Sequence, residues 1–233
     1  ARIHELLGGE LAPRRDLGQN FVIDPNTVRK IASLAQVGPG DHVVEIGAGL
    51  GSLTLALAET GAAVTAVEVD RGIVPVLRDV VADQPNVTVV EADATTIDWD
   101  DLLAPAPRWT LVANLPYNIA TPLVADLLDT APQIAAMLVM VQKEVAQRFA
   151  AAPGSKQYGA VSVKVAYWAT ARIVGEVPPS VFVPRPNVDS ALVRIDRRTP
   201  PDTDRAELFD LVRTAFGQRR KMVRQSLKAA GVP

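Results

Sequence analysis

Between Asp41 and Val141 the chain alternates short β-branched runs with segments of helical periodicity, and no other feature restricts its fold as strongly. The runs Val43–Ile46, Val64–Val69, Val87–Val90, Leu111–Ala113 and Met137–Val141 read as strands. Helices are expected between them over Leu53–Glu59, Ile73–Ala82, Leu123–Leu128 and Glu144–Ala151. Strands joined through helices cross over and pair in parallel, so the pattern predicts an α/β fold with helices on both faces of a mostly parallel sheet. Asp24-Pro25 predicts one earlier helix, running to about Ala35, because Asp caps the first amides and Pro suits the first turn. After Tyr158 come three β-rich runs, Val161–Trp168, Arg172–Val177 and Ser190–Ile195, with no crossover helix apparent between them. They predict antiparallel pairing at one sheet edge. Pro200-Pro201 marks a linker, and residues 204–230 read as helices.

Several kinds of chemistry are excluded by composition. The 233 residues include no cysteine, so disulfides, thiolate metal sites and a covalent cysteine nucleophile are ruled out. With only His4 and His42, no metal site is expected. The longest apolar run, Ile134 to Val141, is far short of the ~20 residues of a membrane span, and no signal-peptide pattern opens the chain. A soluble, cytoplasmic protein is the expectation. The formal charge of −2 conceals a segregation: residues 41–101 carry 12 acidic and two basic side chains, whereas residues 194–233 carry ten basic and five acidic. A basic C-terminal end can serve an anionic partner or be a solvated helix face.

The first strand of the alternation closes on Glu45-Ile46-Gly47-Ala48-Gly49-Leu50-Gly51 and runs straight into a helix. Glycines suit such a turn, which needs positive φ and lets a ligand approach the backbone. The sixth position of a dinucleotide fingerprint is here Ser52, which disfavours a nicotinamide oxidoreductase. An acidic-x-Gly-x-Gly-x-Gly pattern instead suits a ligand with net positive charge, and S-adenosylmethionine is one. Glu68 ends the second strand, where a carboxylate accepts ribose hydroxyls, and Asp93 ends the third, followed by Ala94, placed for an adenine edge. Asp70, just before Arg71, reads as a cap for the next helix.

Strand four ends in Asn114-Leu115-Pro116-Tyr117 beside the same crevice. An adenine amine is a poor nucleophile because its lone pair is conjugated into the ring. The Asn114 side-chain carbonyl and the Leu115 backbone carbonyl could accept its two N–H bonds and aim the lone pair at a sulfonium methyl. Pro116 fixes the turn without adding a donor, and Tyr117 offers a stacking face. Alone the tetrapeptide is an ordinary turn; in register with the glycines and acidic strand ends it points to amino methylation.

Beyond these residues, the chain resembles the KsgA-type ribosomal RNA adenine dimethyltransferases, to which the Erm methyltransferases are related. The resemblance rests on Leu17-Gly18-Gln19-Asn20-Phe21, the glycine loop, residues 114–119, 141–146, 153–159 and 178–190, and Phe216-Gly217-Gln218-Arg219-Arg220-Lys221. It implies a Rossmann-like class I S-adenosylmethionine-dependent methyltransferase sheet with an antiparallel edge in residues 1–198. The start of a small C-terminal helical RNA-binding domain would follow in 202–233, cut short relative to the family. It further implies that Gln19, Asn20, Val22, Gly47, Gly49, Glu68, Asp93, Ala94 and Asn114 hold S-adenosylmethionine. Asn114, Leu115, Pro116 and Tyr117 would hold the target adenosine, with Phe182 stacking on its other face. Read without the resemblance, Phe182 is a structural anchor between proline pairs and Gln19-Asn20 a polar loop. Arg219, Arg220, Lys221 and Arg224 would contact RNA phosphates.

The implied reaction is N6,N6-dimethylation of two adjacent adenosines in the 3′-terminal hairpin loop of small-subunit rRNA, within the assembling 30S particle, by a monomer. Two readings compete with it: an Erm-like enzyme acting on 23S rRNA, and a non-catalytic ribosome-assembly factor that keeps the fold as an RNA-binding module.

Overall fold

The computed structural model describes Arg14 and residues 18–217. Seven strands form one sheet in the order β4-β3-β2-β5-β6-β9-β7. They are β2 (His42–Ile46), β3 (Ala63–Glu68), β4 (Val87–Glu91), β5 (Trp109–Asn114), β6 (Ile134–Gln142), β7 (Ala169–Val177) and β9 (Ser190–Arg197). β2 to β6 pair in parallel, while β9 runs antiparallel between β6 and β7. β1 (Phe21–Val22) and β8 (Phe182–Val183) make a separate two-stranded antiparallel ribbon.

Consecutive valines and leucines in the central strands point to opposite faces, so each strand feeds two cores. Val43, Val112 and Leu138 pack on one face with α1 (Pro25–Ala35) and α2 (Ser52–Ala58), and Leu77 of α3 (Val74–Val80) meets Ala66 on that face. Val44, Leu111 and Val139 pack on the other, against α4 (Trp99–Leu103), α5 (Ala120–Thr130), α6 (Lys143–Phe149) and α7 (Ala160–Trp168). Asp24 caps α1 as expected, accepting from the amides of Asn26 and Thr27. The C-terminal end of α5 is closed from across the sheet, where the Arg197 guanidinium donates to the carbonyls of Leu127, Leu128 and Ala131.

One expectation fails. Residues 161–168 form helix α7 instead of a strand, so two edge strands stand where three were read. Valines at 161, 163 and 165 imitate strand alternation, but tertiary contacts decide the outcome. The Ser162 hydroxyl accepts from the Gly159 amide at 3.0 Å and donates to the Arg148 carbonyl at 2.6 Å. On a helix, Lys164 and Trp168 are neighbours four residues apart, and both bond the Asp129 carboxylate of α5. Beyond the linker, α8 (Arg205–Gly217) packs on α7 through Phe209 against Tyr167, ring centroids 5.3 Å apart.

Candidate active site

The chain lays β2, β3 and β4 to one side and then returns to place β5 on the other, so strand order reverses between β2 and β5. Ligands of open α/β sheets bind at the carboxyl ends of the strands at such a reversal. A crevice opens there, and its lining includes Glu45, Gly47 and Gly49 of the glycine loop, the acidic strand ends Glu68 and Asp93, and the Asn-Leu-Pro-Tyr turn.

The glycine loop turns on left-handed backbone at Gly47, Gly49 and Gly51, with φ of 72°, 55° and 82°. At Gly49 a Cβ would stand 3.0 Å from the Phe21 ring, so the glycine also makes room for the N-terminal segment lying over the loop. Its amide donates to Glu68 Oε2 at 2.8 Å. Glu68 Oε1 accepts from the amides of Val69 at 3.0 Å and Asp70 at 2.9 Å. Three amides therefore fix this buried carboxylate and leave about one of its acceptor directions for a ligand. Burial raises its pKa, and the amides oppose that shift. Asp93 is exposed, with Oδ1 accepting from the amide and hydroxyl of Thr95, and Ala94 lies buried beside it.

Glu45 is only 1% exposed and its Oε2 has no hydrogen-bond partner. Burial, reinforced by the nearby Glu68 charge, pushes its pKa up to about 8. The carboxyl is thus mostly protonated at neutral pH. Its acidic type was legible in the glycine motif, but its depth was not.

Asn114 closes β5. Its Nδ2 donates to the Asn20 carbonyl at 2.9 Å, which leaves Oδ1 as the acceptor end, and no donor among the described residues takes that oxygen. The amide of Leu115 donates to the Met140 carbonyl at 3.1 Å, and the Pro116 carbonyl accepts from the amides of Ile119 and Ala120, starting α5 directly after the turn. The Tyr117 hydroxyl lies 2.9 Å from Ser190 Oγ.

The segment 18–22 straps across this turn. Gly18 lies so near Pro116 that a Cβ would stand 3.2 Å from the proline Cβ, and Val22 pairs with Phe182. Gln19 is held at both ends, accepting from the Arg14 amide and donating to Asp70 Oδ2, each at 2.8 Å. Asp70 does not cap α3 as read from sequence: its Oδ1 accepts from the Gly72 amide in the turn before the helix, whose N-cap is Ile73 with no side-chain bond.

Phe182 lies apart from these residues. Its ring is 3% exposed and packs in the core with Val22, Leu138, Met140 and Leu192, outside the crevice lining. The β1–β8 pairing draws it inward, in the place the anchor reading expects. Phe21 and Tyr117 are the aromatic side chains that line the crevice. Arg219, Arg220, Lys221 and Arg224 lie outside the described residues.

A family model described as ribosomal RNA adenine dimethylase matches residues 11–233. The chain belongs to this family. It is 49% identical over 238 residues to the ribosomal RNA small subunit methyltransferase A of Cutibacterium acnes, an alignment covering 97% of this chain and 78% of that protein. Among solved structures it is similar to a dimethyladenosine transferase from Plasmodium falciparum, with a TM-score of 0.78 and 27% identity, covering 91% of this chain and 76% of that one. The 23S rRNA methyltransferase ErmE is similar at a TM-score of 0.74 and 29% identity, covering 90% and 84%.

The methyl donor of this dimethylase type is S-adenosylmethionine, and two observations of the crevice fit it. At Gly47 the left-handed backbone is open to a ligand, with only the Asn114 carbonyl 3.6 Å from where a Cβ would stand. The buried Glu45 Oε2, which has no hydrogen-bond partner in the protein, leaves a polar atom at the crevice for a ligand to satisfy. No group of His, Asp and Glu side chains able to hold a metal occurs among the described residues, nor does a helix long and apolar enough to cross a membrane.

Proposed function

We propose that this chain transfers methyl groups from S-adenosylmethionine to N6 of two adjacent adenosines in the 3′-terminal hairpin loop of small-subunit rRNA. The donor supplies an electrophilic sulfonium methyl; positioning the nucleophile falls to the protein. Glu68, Asp93 and Ala94 would take the adenosyl part, with Gln19, Asn20 and Val22 closing over the methionine part.

The observation that carries the reading is the assignment of Asn114. With Nδ2 committed to the Asn20 carbonyl, Oδ1 accepts an N6–H of the target base. The Leu115 carbonyl is the second acceptor. These bonds would draw the nitrogen toward tetrahedral geometry and aim its lone pair at the methyl carbon, so that transfer would leave the donor as a thioether. The amine then sheds a proton. This chemistry runs on orientation and hydrogen bonding and calls for no strong base. A base reaches the crevice only when extruded from its stack, which loop adenosines permit at little cost.

Relatives named for the small ribosomal subunit support 16S over 23S rRNA as substrate. The assembling 30S particle would be the partner, a monomer the working form and the cytoplasm its place. Residues 202–233 would begin a helical RNA-binding domain, its Arg219, Arg220, Lys221 and Arg224 on phosphates. Incubation with labelled S-adenosylmethionine and immature 30S particles should yield N6,N6-dimethyladenosine in digested 16S rRNA. Absence of that product rejects the proposal, and efficient labelling of naked 23S transcript instead would make the enzyme Erm-like.

A further inference from the structure

Tyr117 sits on a turn, and a tyrosine ring on a turn is free to rotate about two side-chain torsions unless something holds its far end. Here the far end is held. The Tyr117 hydroxyl and Ser190 Oγ are 2.9 Å apart, either one able to donate, across 73 residues of sequence. Ser190 is 1% exposed, and its backbone is clamped from both sides. It pairs with Gln142 at the end of β6 and with Val177 at the end of β7. The preceding carbonyl, of Asp189, accepts from the Lys143 amide at 3.0 Å where α6 begins. The hydroxyl is therefore a fixed point of the sheet, and the phenol is tethered to it.

We infer that Ser190 is a positioning residue for methyl transfer: its hydroxyl holds the Tyr117 ring in the plane against which the target adenine stacks. The inference rests on the reading of Tyr117 as the stacking face. With Phe182 in the core, Tyr117 and Phe21 are the aromatic rings lining the crevice, and Phe21 already packs on Gly49. The orientation of one ring thus sets the base plane, and the base plane sets where N6 stands relative to Asn114 Oδ1. Ser190 touches neither base nor donor in this scheme. It acts through Tyr117 alone, and donor affinity is indifferent to it.

The test is a double-mutant cycle on the full chain, reading single-turnover methylation of 30S particles and the Kd for S-adenosylmethionine. Ser190→Ala and Tyr117→Phe remove the same bond from opposite ends. Each should slow transfer about tenfold while leaving donor Kd within about twofold, because a small misorientation of a reacting group costs rate. The double variant should be no slower than either single one, since the bond can be lost only once. An unchanged rate in Ser190→Ala, losses that multiply in the double variant, or a parallel loss of donor affinity would overturn the inference. If Ser190→Ala does not fold, Tyr117→Phe carries the test: a wild-type transfer rate there equally overturns it. A wild-type protein that yields no dimethyladenosine defeats the underlying function. An active wild type with an indifferent Ser190→Ala defeats this inference only.

Discussion

Glu68 is held by amides 19, one and two residues away along the chain, whereas Asn114 and Tyr117 bond partners 94 and 73 residues away. The donor half of the crevice grows from contiguous strand–turn–helix units in which backbone amides grip carboxylates. Its catalytic half is the turn at 114–117, held by side-chain bonds to the start of β9 and to the strap at 18–22, which also closes over the donor. A locally built half tolerates change elsewhere in the molecule and fails when its own glycines or carboxylates change. A half built at long range places the reacting amine only if all its segments arrive together.

The comparison predicts separable defects. The largest is at Asn114: Asn114→Ala should lower single-turnover methylation about 10²–10³-fold while changing donor Kd only a few-fold, because its bonds strengthen as the nitrogen becomes tetrahedral. Equal losses in both would merge the two halves. Glu68→Gln should show the converse, weakening S-adenosylmethionine about tenfold by calorimetry with turnover at saturating donor nearly kept. A turnover defect that saturation does not relieve would break the division.

Glu45 sharpens the comparison through pH. Its native pKa of about 8 lies above the unfolded value near 4.5. Between these values the native state binds the extra proton, so its contribution to stability is full below pH 4.5 and is lost as pH rises to 8. Glu45→Gln should flatten that fall, worth on the order of a few kcal/mol, in urea titrations between pH 5 and 8. An unchanged pH slope would mean that Glu45 is ionised in the fold. The smallest effect is at Gly49, where Ala meets both a φ of 55° and the Phe21 ring. Gly49→Ala should cost about 1–2 kcal/mol and loosen donor binding with it; unaltered stability would mean that the strap yields freely.

The same contrast explains what could be read in advance. Parallel strands, the glycine loop, Glu68, Asp93 and the Asn114–Tyr117 turn each carry a local signature, and Gly47, Gly49, both carboxylates and the turn line the crevice. Asp24 announced its capping role by position alone, whereas Asp70 bonds only the turn before α3. By contrast, the valines of α7 mimic a strand until Asp129 and Arg148 of neighbouring helices supply partners. The two-residue strands β1 and β8 are too short to show a period, and their pairing is what sends Phe182 into the core. Ser190, a serine at the head of a strand, carries no mark of the tyrosine it meets. Pairing across the fold is a property of the folded chain, and no window of residues contains it.

The most direct test is a crystal structure with S-adenosylhomocysteine. The ribose should lie within hydrogen-bonding distance of Glu68, the adenine edge at Asp93, and the sulfur facing Asn114 Oδ1 and the Tyr117 ring. Adenosyl density away from the glycine-lined crevice, or an Asn114 amide turned with its nitrogen toward the sulfur, would contradict it.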